Sequence, residues 1–529
     1  MTTKMRWQAK DTIITILLGV GTALSRLPFH TPLLHSHDAV NYALALEHFD
    51  MRLHQPQPPG YPLYVLLGQA FQLLFPDHLA ALLALSIVFS GLAVVAIYLV
   101  GRAMFGRQAG VVAALLAATS AVVWFQGEIT VPYAPDMFAS AIVGWLCYRL
   151  SEAPSGNGVW WAALAVGLAG AFRLQTFLFL FPLFLYALRG QPRRRAVGGI
   201  LVAGAIFGLF FIPAVLISGG PAAFLLAMRR TVPIFWSART LTRSTRWDRF
   251  MRNTNIILRY TFRAMGEWAL LLLPLGVLAS VRSWRLWREH RLCFLALWVL
   301  PTWIVYFLIW PGNPGTILVC IPPFFLLAGA GLDHVLTHPI RGFRKIGWAW
   351  LVGMLLWRTT VFATLPARPF GIYYRSFDNY AALRVATDCL QTRFALVDTV
   401  PVEHTVLYAN DFRLLQYYRP QYRIFSLPNL RRSDPRVVKS IVAIADGKME
   451  TWENVDTATI IPADVERILL FDLPSEEILA DAADAEVKVE VRGEDECAIS
   501  VITVPTDSIP LWTLEGLTLE AWEVKQSNE

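Results

Sequence analysis

The chain has 529 residues, 55% of them hydrophobic and 16% Asp, Glu, Lys or Arg, where an ordinary soluble domain carries about a quarter charged residues. With a mean hydropathy of +0.46, 32 Phe and 19 Trp, it is not a disordered, fibrous or small secreted protein, and a membrane protein is the default. The net charge of +7 conceals a split: residues 1–365 hold 30 Lys/Arg and 12 Asp/Glu (+18), whereas residues 366–529 hold 16 and 27 (−11). Two physically different pieces are joined.

In the first piece, apolar runs near one bilayer crossing in length recur with short loops between them. A helix needs roughly 20 residues to cross the ~30 Å hydrocarbon layer. The pattern predicts eleven spans, near 12–29, 79–101, 110–126, 134–151, 158–172, 174–189, 196–217, 266–281, 292–310, 315–336 and 346–365. The pair 158–172 and 174–189 is short and flanks Arg173, which reads as a helical hairpin. Residues 61–75 are apolar but short and follow Pro58 and Pro59, so an interfacial or re-entrant helix is expected there.

Basic residues set the orientation. With the N-terminus cytoplasmic, inner segments hold 17 Lys/Arg, including Lys4, Arg102, Arg107, Arg193 and Arg341, against Arg26, Arg52 and Arg173 on short outer segments. Eleven crossings then put residues 366–529 outside, as an extracytoplasmic α/β domain. Strands are expected at Val406–Ala409, Arg467–Phe471 and Val487–Val491, and helical stretches at 464–466 and 475–481. Of five cysteines only Cys389 and Cys497 fall in that domain, so one disulfide is possible and a disulfide framework is not.

Carboxylates near a membrane are costly, so each of the 12 acids in the first piece needs a reason. Asp11, Glu152, Glu289 and Asp333 lie in inner segments where water reaches them. Others concentrate outside. The first outer loop, 30–78, carries His35-Ser36-His37-Asp38-Ala39-Val40-Asn41-Tyr42-Ala43 and then Pro58-Pro59-Gly60-Tyr61-Pro62-Leu63-Tyr64; the next outer turn reads Gln126-Gly127-Glu128-Ile129-Thr130-Val131-Pro132-Tyr133-Ala134-Pro135-Asp136. Asp38 opens a short amphipathic helix, where it either complements the helix dipole with Ser36 as cap or acts as a surface-held general base. Tyr61 and Tyr64 suit an aromatic belt at the interface or sugar stacking.

The acidic residue soon after the first span, the Ala/Tyr-containing helix and the Pro-Pro-x-x-x-Leu-Tyr segment resemble the GT-C superfamily of polyprenyl-phosphate-sugar-dependent glycosyltransferases. The similarity is to protein O-mannosyltransferase-like and aminoarabinose-transferase-like bacterial proteins (glycosyltransferase family 39-like). Gly170-Ala171-Phe172-Arg173 and Gly312-Asn313-Pro314-Gly315 before Ile321-Pro322-Pro323-Phe324 fit the same pattern. The chain departs from it at Asp38-Ala39, where relatives often carry Asp-Glu, and at Arg173, where Lys is frequent.

The resemblance implies a multi-pass membrane glycosyltransferase domain over 1–365, a soluble domain over 366–529, and residence in the bacterial inner membrane. The donor would be a polyprenyl-phosphate sugar and the acceptor an extracytoplasmic glycolipid, polysaccharide or protein. Asp38 is then the base candidate, Glu128 a second carboxylate, and Arg173 the cation for the departing phosphate, or else a snorkelling arginine at a helix end. His37, Tyr42, His54, Gln57, Tyr61, Tyr133, Asp136, Arg243 and Arg246 are candidate substrate contacts. The last two belong to a basic outer loop, 218–265, whose nine arginines face one acid, Asp248, and call for anionic lipid or substrate. Nucleic acid is excluded by that outer placement. The histidines between residues 35 and 54, His35, His37, His48 and His54, raise a divalent cation near His37, Asp38 and Glu128, although no closed zinc spacing is present. The rival reading is a lipid-linked-sugar transporter or flippase, for which repeated halves and midplane polar groups would be expected.

Overall fold

The computed structural model describes residues 7–152, 156–236, 247–266, 272, 274, 291–309, 311–364 and 379–426, then 440–445, 448–453, 458–461, 465–472, 488–494, 497–503, 512–514 and 517–521. They fall into two compact units. One gathers Met1–Thr31, Tyr42–Met228 and Arg239–Leu383, the other Pro32–Asn41, Arg229–Ala238 and Arg384–Glu529.

The first unit is helical. Its described helices include α1 (Ala9–Arg26), α2 (His37–Glu47, whose first residues belong to the other unit), α3 (Pro62–Gln72), α4 (His78–Phe105), α5 (Arg107–Ala118), α6 (Ala121–Gln126), α7 (Tyr133–Glu152) and α8 (Gly156–Phe172). After these come α9 (Leu174–Ala187), α10 (Arg193–Ile217), α11 (Gly220–Trp236, which from Arg229 on belongs to the other unit), α12 (Trp247–Met265), α13 (Arg291–Leu308), α14 (Pro322–Leu336) and α15 (Arg341–Thr364). Among the described residues, five helical segments are long and apolar enough to cross a membrane: Ala9–Phe29, His78–Phe105, Arg193–Ile217, Arg291–Leu308 and Arg341–Thr364. Arg107–Ala118, Asn157–Phe172 and Leu174–Gly190 are shorter apolar helices. The chain is a multi-pass helical membrane protein.

Small residues let the helices touch. A Cβ on Gly101 of α4 would stand 2.7 Å from the Gly110 Cα of α5, so both positions exclude a side chain. The predicted span 110–126 is interrupted at Thr119-Ser120, because Ser120 caps α6 through the Val123 N–H and donates to the Ala264 carbonyl at 2.6 Å. The predicted span 315–336 becomes helical only at Pro322. Residues 314–317 form a 3₁₀ turn, and Pro322 and Pro323, which lack an N–H, suit only the helix start. The expected span 266–281 and the expected helix 475–481 lie largely outside the described residues.

Asp11 is a correction. Expected to be hydrated at an inner end, it is fully buried, accepting from Tyr98 (2.8 Å), Arg102 (3.0 Å) and Arg107 (2.7 Å). One carboxylate thus ties α1 to the end of α4 and the start of α5. Asp11→Ala is expected to cost about 2–3 kcal/mol, below the ~3–5 of a wholly buried pair because Arg107 is partly exposed. Thermal melting in detergent measures it, and an unchanged midpoint would refute the role.

The second unit centres on a seven-stranded mixed sheet of order β4-β3-β2-β1-β6-β8-β7. The strands are β1 (Thr405–Ala409), β2 (Arg423–Ser426), β3 (Ser440–Ala445), β4 (Lys448–Glu453), β6 (Arg467–Leu470), β7 (Lys488–Arg492) and β8 (Ile499–Thr503). Beside it, β5 (Ala458–Ile461), β9 (Trp512–Leu514) and β10 (Leu517–Ala521) form a three-stranded sheet. Central β1 is buried throughout and runs parallel to both β2 and β6, as its unbroken apolar sequence suggests. Helices α16 (Tyr380–Val397) and α17 (Phe412–Tyr418) complete the described elements. Val465 and Glu466, expected to be helical, are instead the extended approach to β6, the Glu466 N–H donating to the His404 carbonyl at 2.8 Å. Cys389 and Cys497 are joined by a disulfide that ties α16 to the turn before β8.

Candidate active site

In the helical unit, the turn between α6 and α7 brings Glu128 fully inside, with neither carboxylate oxygen hydrogen-bonded. Arg26 is the charge nearest in effect: burial pushes the Glu128 carboxyl well above the usual carboxylate range, and Arg26 pulls it back. Arg26, also fully buried, spends its donors on Ser25 (3.1 Å), Ser90 (3.3 Å) and the Ala118 carbonyl (2.8 Å), and lies 4.4 Å over the Trp124 ring. The Gln126 Oε1 and Thr130 Oγ1 of the same turn are likewise buried without a hydrogen bond. Polar atoms left this way cost about 1–3 kcal/mol each, so the turn stores a strong demand for donors.

A second cluster surrounds Arg173, which interrupts the helical hairpin with an extended backbone (φ −159°, ψ 122°) between α8 and α9. Its NH1 stands 3.4 Å from Asp136 Oδ2 and its NH2 3.3 Å from the Tyr306 hydroxyl, while Nε has no hydrogen-bond partner. Thr176 donates a short hydrogen bond to the other Asp136 oxygen. The guanidinium lies 5.5 Å over the ring of Tyr133, whose hydroxyl accepts from Asn313 Nδ2 at 2.9 Å. Gly315 packs against that same ring with no room for a Cβ, which explains a glycine-bearing loop between α13 and α14. Arg173 is therefore not a snorkelling arginine at a helix end: only 6% exposed, it is paired with Asp136.

The first loop packs by aromatic edges. Gln57 Nε2 donates to the Tyr42 hydroxyl at 2.8 Å, and the Tyr42 ring meets Tyr61 and Tyr64 edge-on, each at 5.1 Å. Tyr61 is 7% exposed and Tyr64 fully buried, so neither belongs to a lipid-facing aromatic belt. His54 takes a left-handed conformation (φ 57°) closing the turn that Asp50 caps.

In the sheet unit, Asp38 stands half-buried in the first turn of α2, and the Ser36 Oγ accepts from the Ala39 N–H at 3.3 Å. The Ser36 cap expected for this segment is realised. The segment is bound to α17: the Leu34 N–H donates to the Tyr418 hydroxyl at 2.7 Å, and His37 lies 3.9 Å from Asp411 and edge-on to Phe412. Asp472 accepts from the backbone N–H groups of Asn410 and Asp411, both at 2.8 Å. Burial, then repulsion from Asp472 and Asp38, pushes the Asp411 carboxyl up to about 6 against the pull of Arg393.

Because Asp411 holds its proton more tightly folded than unfolded, stability falls as pH rises from about 4 to about 6. Asp411→Asn is expected to raise the melting temperature at pH 7 while leaving it unchanged at pH 4. A variant that melts like the wild type at both would contradict this.

Among the described residues no three His, Cys, Asp or Glu side chains gather as a metal site. Arg243 and Arg246 lie outside the described residues. Thr176, Tyr306 and Asp411 carry no mark in the sequence, and Arg26 and Asn313 stand out there only as an outer charge and as part of the Gly312–Gly315 motif. Arg26, a lone charge ending the first apolar run, carried a signal that could have been weighed.

Residues 56–217 match the family model of dolichyl-phosphate-mannose-protein mannosyltransferases. No curated protein matches the chain by sequence. Among solved structures, ArnT from Cupriavidus metallidurans bound to undecaprenyl phosphate is similar over 94% of this chain and 98% of its own, at 12% identity and a TM-score of 0.55. The apo form of the same protein aligns over 93% and 97%, at 13% identity and a TM-score of 0.50. The apo Archaeoglobus fulgidus oligosaccharyltransferase aligns over 78% of this chain and 64% of its own, at 12% identity and a TM-score of 0.45. The chain thus matches the mannosyltransferase family model over residues 56–217 and shares the fold of ArnT along nearly its whole length.

Proposed function

We propose that the chain transfers a sugar from a polyprenyl-phosphate donor to an acceptor outside the cytoplasm, by a single inverting displacement. The observation that carries the donor class is the fold shared with ArnT, which was solved with undecaprenyl phosphate bound. In the reaction, the acceptor hydroxyl oxygen attacks the anomeric carbon from the face opposite the phosphate. The carbon–phosphate-oxygen bond breaks with its electron pair going to polyprenyl phosphate, and the hydroxyl proton passes to the Asp38 carboxylate. Phosphate is already a good leaving group, so the protein supplies a base and a positive environment rather than a strong acid.

Glu128 serves as the second carboxylate, orienting a hydroxyl: its bare oxygens accept the donors that a sugar or acceptor brings. Arg173 serves the donor phosphate through Nε, the guanidinium nitrogen that Asp136 and Tyr306 leave unused. His37, Tyr42, His54, Gln57, Tyr61, Tyr133, Asp136, Arg243 and Arg246 remain the candidate substrate contacts.

The topology proposed with this function has eleven crossings over 1–365, the N-terminus in the cytoplasm and the domain 366–529 in the periplasm of a bacterial inner membrane. The Cys389–Cys497 disulfide supports an oxidising compartment for that domain, and the excess of Lys/Arg on the inner segments supports the orientation.

Purified protein in proteoliposomes, supplied with radiolabelled polyprenyl-phosphate sugars and envelope glycolipid or protein acceptors, tests the reading. Label should move to the acceptor with inversion at the anomeric carbon. Donor that crosses the bilayer without being consumed would favour a transporter instead.

A further inference from the structure

Helix α12 presents an outer face that the proposed reaction does not use. Its inner face is pinned. Buried Asn253 donates to the Phe307 carbonyl at 3.2 Å, Tyr260 donates to the Gly312 carbonyl at 2.6 Å, and Ile257 and Ala264 are fully buried. At roughly 100° per residue, Trp247, Met251 and Leu258 fall on one outer stripe. They are 68%, 47% and 50% exposed. Arg252 and Arg259 run along the adjoining flank, also exposed, and the helix sequence carries four arginines, Arg249, Arg252, Arg259 and Arg263, against one acid, Asp248.

Large apolar side chains and arginines side by side on one exposed helix ask for an occupant that is apolar and anionic in neighbouring layers. An acidic peptide would satisfy the arginines and leave Trp247, Met251 and Leu258 in water. The boundary of a bilayer supplies both layers at once: acyl chains below, phosphates above, with arginine stems bridging the two. This chain already lies in a bilayer by virtue of its apolar helices.

We propose that the outer face of α12 lies in the membrane interface and docks on anionic phospholipid headgroups, with Trp247, Met251 and Leu258 immersed and Arg252 and Arg259 on lipid phosphates. The contact is independent of the donor and does not rest on the transferase reading. The inner face connects it to the active-site candidate, since Tyr260 holds Gly312, and Asn313, the next residue, holds Tyr133.

The test uses the full chain in nanodiscs, with the exposed free cysteine replaced (Cys293→Ser) and bimane placed at Met251→Cys or Leu258→Cys. Discs contain phosphatidylcholine with phosphatidylglycerol titrated in. Emission should shift to the blue and resist an aqueous quencher, increasingly so with phosphatidylglycerol. Arg252→Gln/Arg259→Gln should raise the phosphatidylglycerol fraction needed for half the shift, by roughly fivefold per arginine removed.

A label quenched as in water at every composition overturns the proposal. So does a protected label indifferent to phosphatidylglycerol or to the two substitutions, and so does disulfide cross-linking of the unlabelled cysteine variants, which would give the face to a second copy. Size-exclusion behaviour of each variant before reconstitution separates these outcomes from failure to fold.

Discussion

Asp38→Asn is expected to lower glycosyl transfer by roughly 10²–10⁴-fold while donor binding persists, since a positioned base supplies about that much of the rate. The substitution keeps size and shape and removes only the proton acceptor. Structure should survive it: the Ser36 cap on Ala39 is untouched, and losing a carboxylate at a helix N-terminus costs about 0.3–1 kcal/mol. Asp38→Glu, which retains the base but displaces it, should fall between the two. The decisive readout is single-turnover rate against donor affinity in proteoliposomes. Undiminished turnover in Asp38→Asn would defeat the base assignment, and the chemistry would have to be sought at Glu128.

Breaking the Arg173–Asp136 pair should produce the largest stability change in the helical unit. Both groups are buried, and Asp136 also accepts from Thr176, so Asp136→Ala leaves an uncompensated guanidinium and a stranded hydroxyl. Removal of one partner of a buried pair costs about 3–5 kcal/mol, whereas replacing both by apolar groups of similar volume is often neutral. Arg173→Met/Asp136→Leu should therefore melt close to the wild type in detergent, with each single variant well below it. Equal melting of all four proteins would show that the pair is not coupled.

The same double variant decides the donor role, because it is expected to fold without the cation. Weakened binding of polyprenyl phosphate supports Arg173 as the phosphate ligand, and unchanged affinity rejects it. A simple Arg173→Ala variant cannot separate these effects, since it strands Asp136.

Helix identity was legible wherever apolar runs were long. Ala9–Arg26, His78–Phe105, Arg193–Ile217 and Arg341–Thr364 all appear where hydropathy expects them, because a lipid-facing helix must satisfy its backbone internally and stay apolar along its length. Breaks were less legible. Ser120 ends a helix by bonding to Ala264, a residue distant in the chain, and no local pattern announces that. The burial of Asp11 and the pairing of Arg173 were hidden for one reason. A charge in an apolar sequence looks hydrated or snorkelling until its partner is known, and the partners Arg102 and Asp136 lie 91 and 37 residues away.

The sequence by itself determined the membrane class, the division between a basic helical piece and an acidic sheet-forming one, and the resemblance to GT-C enzymes, and it singled out Asp38, Glu128 and Arg173 as candidates. These depend on composition, periodicity and local motif order, which are one-dimensional properties. Only the tertiary structure decided which charges are paired, that Glu128 is buried with bare oxygens, that the segment bearing Asp38 packs against Asp411 and Tyr418, and which face of α12 is exposed. Those facts are pairwise and long-range. Burial makes each of them costly, and the fold alone says who stands opposite whom.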